Sequence, residues 1–269
     1  MGFESKIEWT THTFNPWWGC TKVSEGCRFC YAKSLSNRFG YDVWGRERPR
    51  RLMSDSYWEQ PTKWNRVAEE TGERPRVFCA SMADVFDEEA PDGQRERLWH
   101  IIRQTPMLDW QLLTKRPHLM EEYLPDDWGT FGYPNVWLGT SVEDQRVLAR
   151  IEHLIRVPAV VHFLSVEPLI GPIPNLQLEG VNWVIVGGES GPGARPIEPE
   201  WVDDIKNQCD SHHVAFFFKQ WGGVNKKATG REINGQTYNA FPTPRGRHPR
   251  VSRMRRVKTN AHRTHVALT

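Results

Sequence analysis

The chain has 269 residues, 38% of them hydrophobic, with 35 basic and 33 acidic residues and a formal net charge of +2. No apolar run approaches the ~18–20 residues of a membrane span. The polar start MGFESKIEWT has neither a secretory signal nor the Ser or Thr that myristoylation needs at position 6, where Lys6 stands, so a cytoplasmic protein is expected.

The near-neutral total conceals a split. Glu232 is the last acidic residue, and eight basic ones follow it, so residues 1–232 carry −6 and residues 233–269 carry +8.

The first chemical feature along the chain is the stretch TFNPWWGCTKVSEGCRFCYAK, which places Cys20, Cys27 and Cys30 at a C-x6-C-x2-C spacing. Five cysteines are an odd number, and the chain is too long to need a disulfide framework. Clustered thiols in a reducing compartment point to metal instead. Thiolates are soft ligands, suited to an iron–sulfur cluster or to zinc. Three protein ligands leave a position open, whereas structural sites normally have four. His12 would supply a fourth and close a Cys₃His zinc site. The readings are therefore a [4Fe-4S] cluster, zinc, or no metal. Phe14, Trp17, Trp18, Phe29 and Tyr31 would shield the site from water. Cys79 and Cys209 stand alone and read as small buried hydrophobes.

Six short apolar runs follow: Arg76–Met82, Asp109–Thr114, Asn135–Thr140, Ala159–Val166, Asn182–Gly187 and Val214–Lys219. They are rich in β-branched and aromatic residues with little alternation, as strands buried on both faces are. Helices are predicted at Pro91–Gln104, Glu143–Ile155 and Pro199–His212 from their apolar spacing and start signals. A strand recurs every 22–33 residues or so, the length of a βα unit. The alternation predicts an α/β fold with a parallel sheet, a partial (β/α) barrel of about six to seven strands. A doubly wound open sheet is the competitor, but its Gly-rich fingerprint is missing.

The strand ends carry polar groups: Ser81 and Asp84; Thr114, Lys115 and Arg116; Thr140, Ser141 and Glu143; Ser165 and Glu167; Gly187, Gly188, Glu189 and Ser190; Lys219 and Gln220. In a parallel barrel these C-terminal ends converge on one face, where active sites sit. Lys115 and Arg116 also read as a solvated surface pair, or with Arg195 as part of a basic path to the barrel mouth.

Residues 1–242 are expected to form the barrel domain with its N-terminal cysteine loop. Residues 243–269 have no acidic and few apolar residues, so a disordered tail is expected. Its Arg250, Arg253, Arg255, Arg256 and Lys258 would bind nucleic acid through phosphates. A solubility tail, or docking on a partner protein's acidic surface, are the other readings.

The elements TFNPWWGC, C-x2-C-Y, SMADVF, LLTKRP, LGTSVE, FLSVEPL, IVGGESG, FFFKQWG and NGQTYNAFP, in that order over roughly residues 5–242, resemble a phage-associated family of uncharacterised proteins. That family in turn resembles divergent radical SAM enzymes. The resemblance implies a radical SAM-like partial barrel and a [4Fe-4S] cluster held by Cys20, Cys27 and Cys30. It also implies S-adenosylmethionine (SAM) completing the cluster's fourth iron, and hydrogen abstraction from a substrate. The first gap is six residues where radical SAM enzymes usually have three. Their Gly-Gly-Glu motif at the second strand appears here near the sixth, as Gly187–Glu189. The resemblance places Ser81, Asp84, Thr140, Ser141 and Gly188 at the cofactor, with Asp84 near the methionyl amine. Glu189, Glu167 and Lys219 would face substrate or ribose as catalytic residues.

Three functions remain open on the sequence. One is a radical SAM-like enzyme acting on nucleic acid or a nucleotide. Another is a non-enzymatic metal-cluster protein that binds nucleic acid. The third is an iron–sulfur DNA-repair enzyme independent of SAM.

Overall fold

The computed structural model describes residues 5–246. Arg250, Arg253, Arg255, Arg256 and Lys258, with the expected disorder of the tail, lie outside the described residues.

In chain order the elements begin with β1 (His12–Thr13), β2 (Trp17–Trp18), α1 (Tyr31–Arg38), β3 (Arg51–Leu52), α2 (Asp55–Trp58) and α3 (Gln60–Thr71). Then come β4 (Arg76–Cys79), α4 (Gln94–Gln104), β5 (Asp109–Thr114), α5 (Met120–Tyr123), β6 (Val136–Ser141) and α6 (Ala149–Arg156). The series ends with β7 (Val161–Val166), β8 (Trp183–Gly187), α7 (Pro199–Ser211), β9 (Ala215–Gln220) and α8 (Lys226–Thr229). Seven strands form one parallel sheet in the order β1-β4-β5-β6-β7-β8-β9, curled into a half barrel, and β2 and β3 form a separate antiparallel pair.

All six apolar runs are strands of the sheet. Their side chains alternate between two cores, because successive residues of a strand face opposite ways. Val77, Leu112, Leu138, Leu164, Val184 and Phe216 pack against helix residues such as Leu98, Ile102, Ile151, Leu154, Val202 and Ile205. Phe78, Trp137, Phe163, Trp183, Ile185 and Phe217 form a second core with Trp9 on the opposite face. Each large apolar side chain buried this way contributes on the order of 1.5–3 kcal/mol. The edge of β9 does not stand open. Phe218 donates to Tyr238 and Ala240 to Phe216 across an antiparallel bridge, so the NGQTYNAFP segment covers it.

The expected helices form, α7 from Pro199 as expected and the other two with shifted starts. Pro91–Gly93 is a turn, and α4 begins at Gln94 after Gly93 adopts a left-handed conformation. Glu143 is drawn into the barrel mouth, and Asp144 caps a short 3₁₀ turn, so α6 begins at Ala149. The sequence reading missed the β2/β3 pair, α1 and α3. β2 and β3 span two residues each, too short for a periodicity, and α1 begins directly after Cys30.

Candidate functional site

At the C-terminal mouth of the half barrel lies a cavity of about 190 Å³, many times the ~10–15 Å³ that holds one water. Cys20, Cys27 and Cys30 all line it. They reach it from three local structures. Cys20 follows β2, Cys27 ends the 3₁₀ turn Glu25–Cys27, and Cys30 caps α1. Trp9, Phe29, Trp44 and Phe78 make the apolar walls. Phe14 and Trp17 are fully buried elsewhere, and Trp18 packs with Ala32, Val43, Trp44 and Met82 beneath the cysteine loop. Burial pushes the Cys20 thiol up, and Asp84 adds to this while Arg116 opposes it. Burial also raises Cys30, against the amides of Lys33 and Ala32 at the start of α1. Such thiols ionise when a cation is at hand to hold the thiolate.

His12 does not approach this group. Its ring stacks on Trp64 at 4.3 Å, and it is not among the residues lining the cavity. Among the described residues, no three His, Cys, Asp or Glu side chains are disposed to hold a single metal ion. The closed Cys₃His arrangement is therefore not formed.

The long loop between Cys20 and Cys27 is gripped at three points by charged groups from the strand ends. At its start, Arg116 Nη2 donates to the Thr21 carbonyl at 2.8 Å and Nη1 approaches Cys20 Sγ at 3.6 Å. Arg116 is held by Asp84 at 3.1 Å and Asp87 at 3.4 Å. Arg50 joins the same cluster, pairing with Asp87 and Glu89 and donating to Thr21 Oγ1 at 3.0 Å. In the middle of the loop, the Ser24 hydroxyl donates to Glu143 Oε1 at 3.2 Å. Glu143 also accepts from Lys115 at 2.6 Å and Arg150 at 2.9 Å. Burial alone would raise its pKa, but Lys115 and Arg150 outweigh burial and hold the carboxyl below the usual range. Gly26 lies against this carboxylate so closely that a Cβ would come within 2.3 Å of Glu143 Cγ. The third grip is Arg195, which donates to the Glu25 carbonyl at 3.0 Å and to Glu189 Oε1 at 2.7 Å.

These contacts relocate several expected residues. Lys115 and Arg116 are not a solvated pair: their side chains are 21% and 3% exposed, and both are in ion pairs. Asp84 has both oxygens engaged, by Thr114 Oγ1, the amides of Phe86 and Lys115, and Arg116. Glu189 is held by Arg195. Thr140 is fully buried off the cavity, its hydroxyl donating to the Thr114 carbonyl. Ser81, Asp84, Ser141, Glu167, Gly188, Glu189 and Lys219 all line the cavity. Lys219 pairs with Glu167 at 2.5 Å. The Ser81 hydroxyl bonds Asn15, and its carbonyl accepts from the Tyr31 hydroxyl at 2.9 Å. Gly188 is needed because a Cβ would strike the Trp221 carbonyl at 2.0 Å. Arg50 and Asp87 were not foreseen. RERPRR looks like a surface basic run, and nothing local marks one of its arginines as buried.

A family model described as "Protein of unknown function (DUF5131)" matches residues 4–242. No curated protein sequence matches the chain. Among solved structures, a Tyr-to-Phe variant of spore photoproduct lyase aligns with a TM-score of 0.55 at 12% identity, covering 82% of this chain and 79% of that one. A variant of the same lyase with bound AdoMet and dinucleoside spore photoproduct aligns at 0.47 and 13% identity, covering 69% of this chain. The lyase complexed with dinucleoside spore photoproduct aligns at 0.49 and 16%, covering 70%. This chain spans 58% of the length of each of those two. The likeness is one of fold: the seven-stranded parallel half barrel resembles that of the Tyr-to-Phe variant.

Proposed function

The chain belongs to the DUF5131 family, and from its own residues we propose that it is an iron–sulfur protein, a radical SAM-like enzyme acting on nucleic acid or a nucleotide in the cytoplasm. Cys20, Cys27 and Cys30 would hold a [4Fe-4S] cluster, with SAM at the remaining iron. The observation that carries this reading is that all three thiols line one cavity at the mouth of the half barrel. A cluster offers a separate iron to each thiolate, which suits that disposition, and thiolates are its usual ligands. When bound, the pair supplies one-electron cleavage of the SAM sulfonium bond and hydrogen abstraction from a substrate.

The chain's residues then divide by task. Trp9, Phe29, Trp44 and Phe78 keep water from the cavity. Ser81, Ser141 and Gly188 offer polar contacts to SAM, and Glu167 and Lys219 face its ribose or the substrate. Within that pair Lys219 Nζ donates to Glu167 Oε1. Asp84 and Glu189 act through the arginines they hold, and Thr140 buttresses the strand ends. Residues 1–242 would be the enzymatic domain. Residues 243–269, where Arg250, Arg253, Arg255, Arg256 and Lys258 lie, would tether phosphates.

Anaerobic reconstitution of the full chain with iron and sulfide, followed by SAM titration, tests the reading. About four irons per chain and a spectral change on adding SAM are expected. One zinc per chain overturns it. A cluster indifferent to SAM selects the two alternatives without SAM chemistry, of which only the DNA-repair enzyme would turn over substrate.

A further inference from the structure

Arg116 stands at the end of β5, and its guanidinium joins groups far apart in the chain. One nitrogen reaches Asp84 and Cys20 Sγ, and the other reaches the Thr21 carbonyl and Asp87. Its side chain is 3% exposed. Asp84, which orients it, is itself fixed by Thr114 Oγ1 and two backbone amides. Asp87 is shared with Arg50, so two guanidinium groups and the carboxylates of Asp84, Asp87 and Glu89 form one closed network around Thr21. The planar fork of arginine can meet these acceptors at once, and a lysine ammonium cannot.

The cysteine sulfurs therefore sit in different fields. Among the described residues, Cys20 is the one whose sulfur faces an arginine N–H. Cys30 faces the first amides of α1. Cations and hydrogen bonds at a ligand sulfur favour the reduced, more negative form of an iron–sulfur cluster.

We propose that Arg116 is a positioning residue for Cys20: it fixes the start of the cysteine loop and, granted the cluster ligation proposed above, raises the cluster's reduction potential. The clamp compensates for the six-residue first gap. A loop of that length has more conformations to lose than a three-residue one, and Arg116 with Arg50 holds it where it leaves β2.

The test uses the full chain with Arg116→Gln and Arg116→Lys. Without metal, hydrogen exchange of residues 21–30 is compared with exchange in β6–β8. At least tenfold faster exchange in the loop, with the strands unchanged, is expected from Arg116→Gln. Arg116→Lys keeps the charge that Asp84 and Asp87 require and covers the case in which the Gln variant fails to fold. It should also loosen the loop. After reconstitution, the equilibrium constant for reducing the cluster should fall about tenfold in Arg116→Gln, which for one electron is ~59 mV. A merely structural role would not move that potential. Loop exchange identical to the unaltered chain overturns the clamp, and an unchanged potential overturns the tuning role. An unaltered chain that assembles no cluster overturns the reading of the three cysteines, while the exchange measurement still decides the clamp.

Discussion

Glu143 accepts a hydrogen bond from Ser24 at 3.2 Å, across 119 positions of the chain. That bond ties the end of β6 to the middle of the cysteine loop. The carboxylate is 1% exposed and is kept ionised by Lys115 and Arg150. With Asp84, Asp87, Glu89 and Glu189 it is one of the carboxylates at the barrel mouth that grip the loop directly or through an arginine.

Gly26→Ala tests this junction. The added methyl would lie 2.3 Å from Glu143 Cγ, and overpacking of this kind costs about 1–3 kcal/mol. A lower denaturant midpoint is expected, together with faster loss of iron from the reconstituted chain. Glu143→Gln should destabilise by about 3 kcal/mol, because Lys115 and Arg150 would be left without a counter-charge in a buried site. Urea unfolding at neutral pH measures both. A Gly26→Ala chain with the original midpoint and iron retention would show that the loop does not rest on Glu143.

Glu167→Gln separates cluster ligation from ligand contact. Glu167 and Lys219 line the cavity but touch no cysteine in any hydrogen bond of the site. Iron content should stay unchanged. The apparent Kd for SAM or a nucleotide substrate should rise about tenfold, since losing a charge-assisted hydrogen bond costs roughly 1.5–3 kcal/mol. Spectral titration reads the Kd, and iron analysis supplies the control.

His162 gives a pH signature apart from the site. Its Nε2 lies 2.7 Å from the Val157 carbonyl and its Nδ1 3.2 Å from that of Gly180. Burial lowers its pKa, opposed by those two carbonyls. The shorter contact is assigned as Nε2–H donating to Val157. A depressed folded value means the unfolded chain takes up the proton first. The stability from neutral His162 is thus complete above about pH 6.5, the unfolded value, and is lost as pH falls below it. Urea midpoints between pH 5 and pH 7.5 should fall on acidification, and His162→Gln should flatten that slope. An equal slope in the variant would assign the decline to other groups.

Deleting residues 247–269 tests the tail while sparing contacts among the described residues, the Phe241 ring on Trp183 and the Arg245 amide on the Val160 carbonyl. Nucleic-acid affinity should fall, and the plot of log K against log salt should flatten by about 0.9 for each duplex phosphate that the tail had neutralised. An unchanged slope would remove the tail from substrate binding.

Much of the architecture is determined by the sequence alone. The strands are buried on both faces, so each had to be an apolar run. Val77, Phe78 and Cys79 show this within four residues, the middle one facing one core and its neighbours the other. The cysteine spacing is equally local, and so are the polar residues at strand ends, which parallel strands must bring to one face. What the sequence does not contain is burial and partnership. Lys115 and Arg116 have the same letters whether solvated or enclosed, and Arg50 looks like its exposed neighbours Arg46 and Arg48. Only the tertiary structure assigns Arg116 to Cys20, 96 positions away, and Arg195 to Glu25, 170 positions away. Coulomb attraction and hydrogen bonding act through space, at distances that exist only once the sheet has curled. For the same reason Asp84 is a buried anchor: four donors converge on it only after β4 and β5 lie side by side.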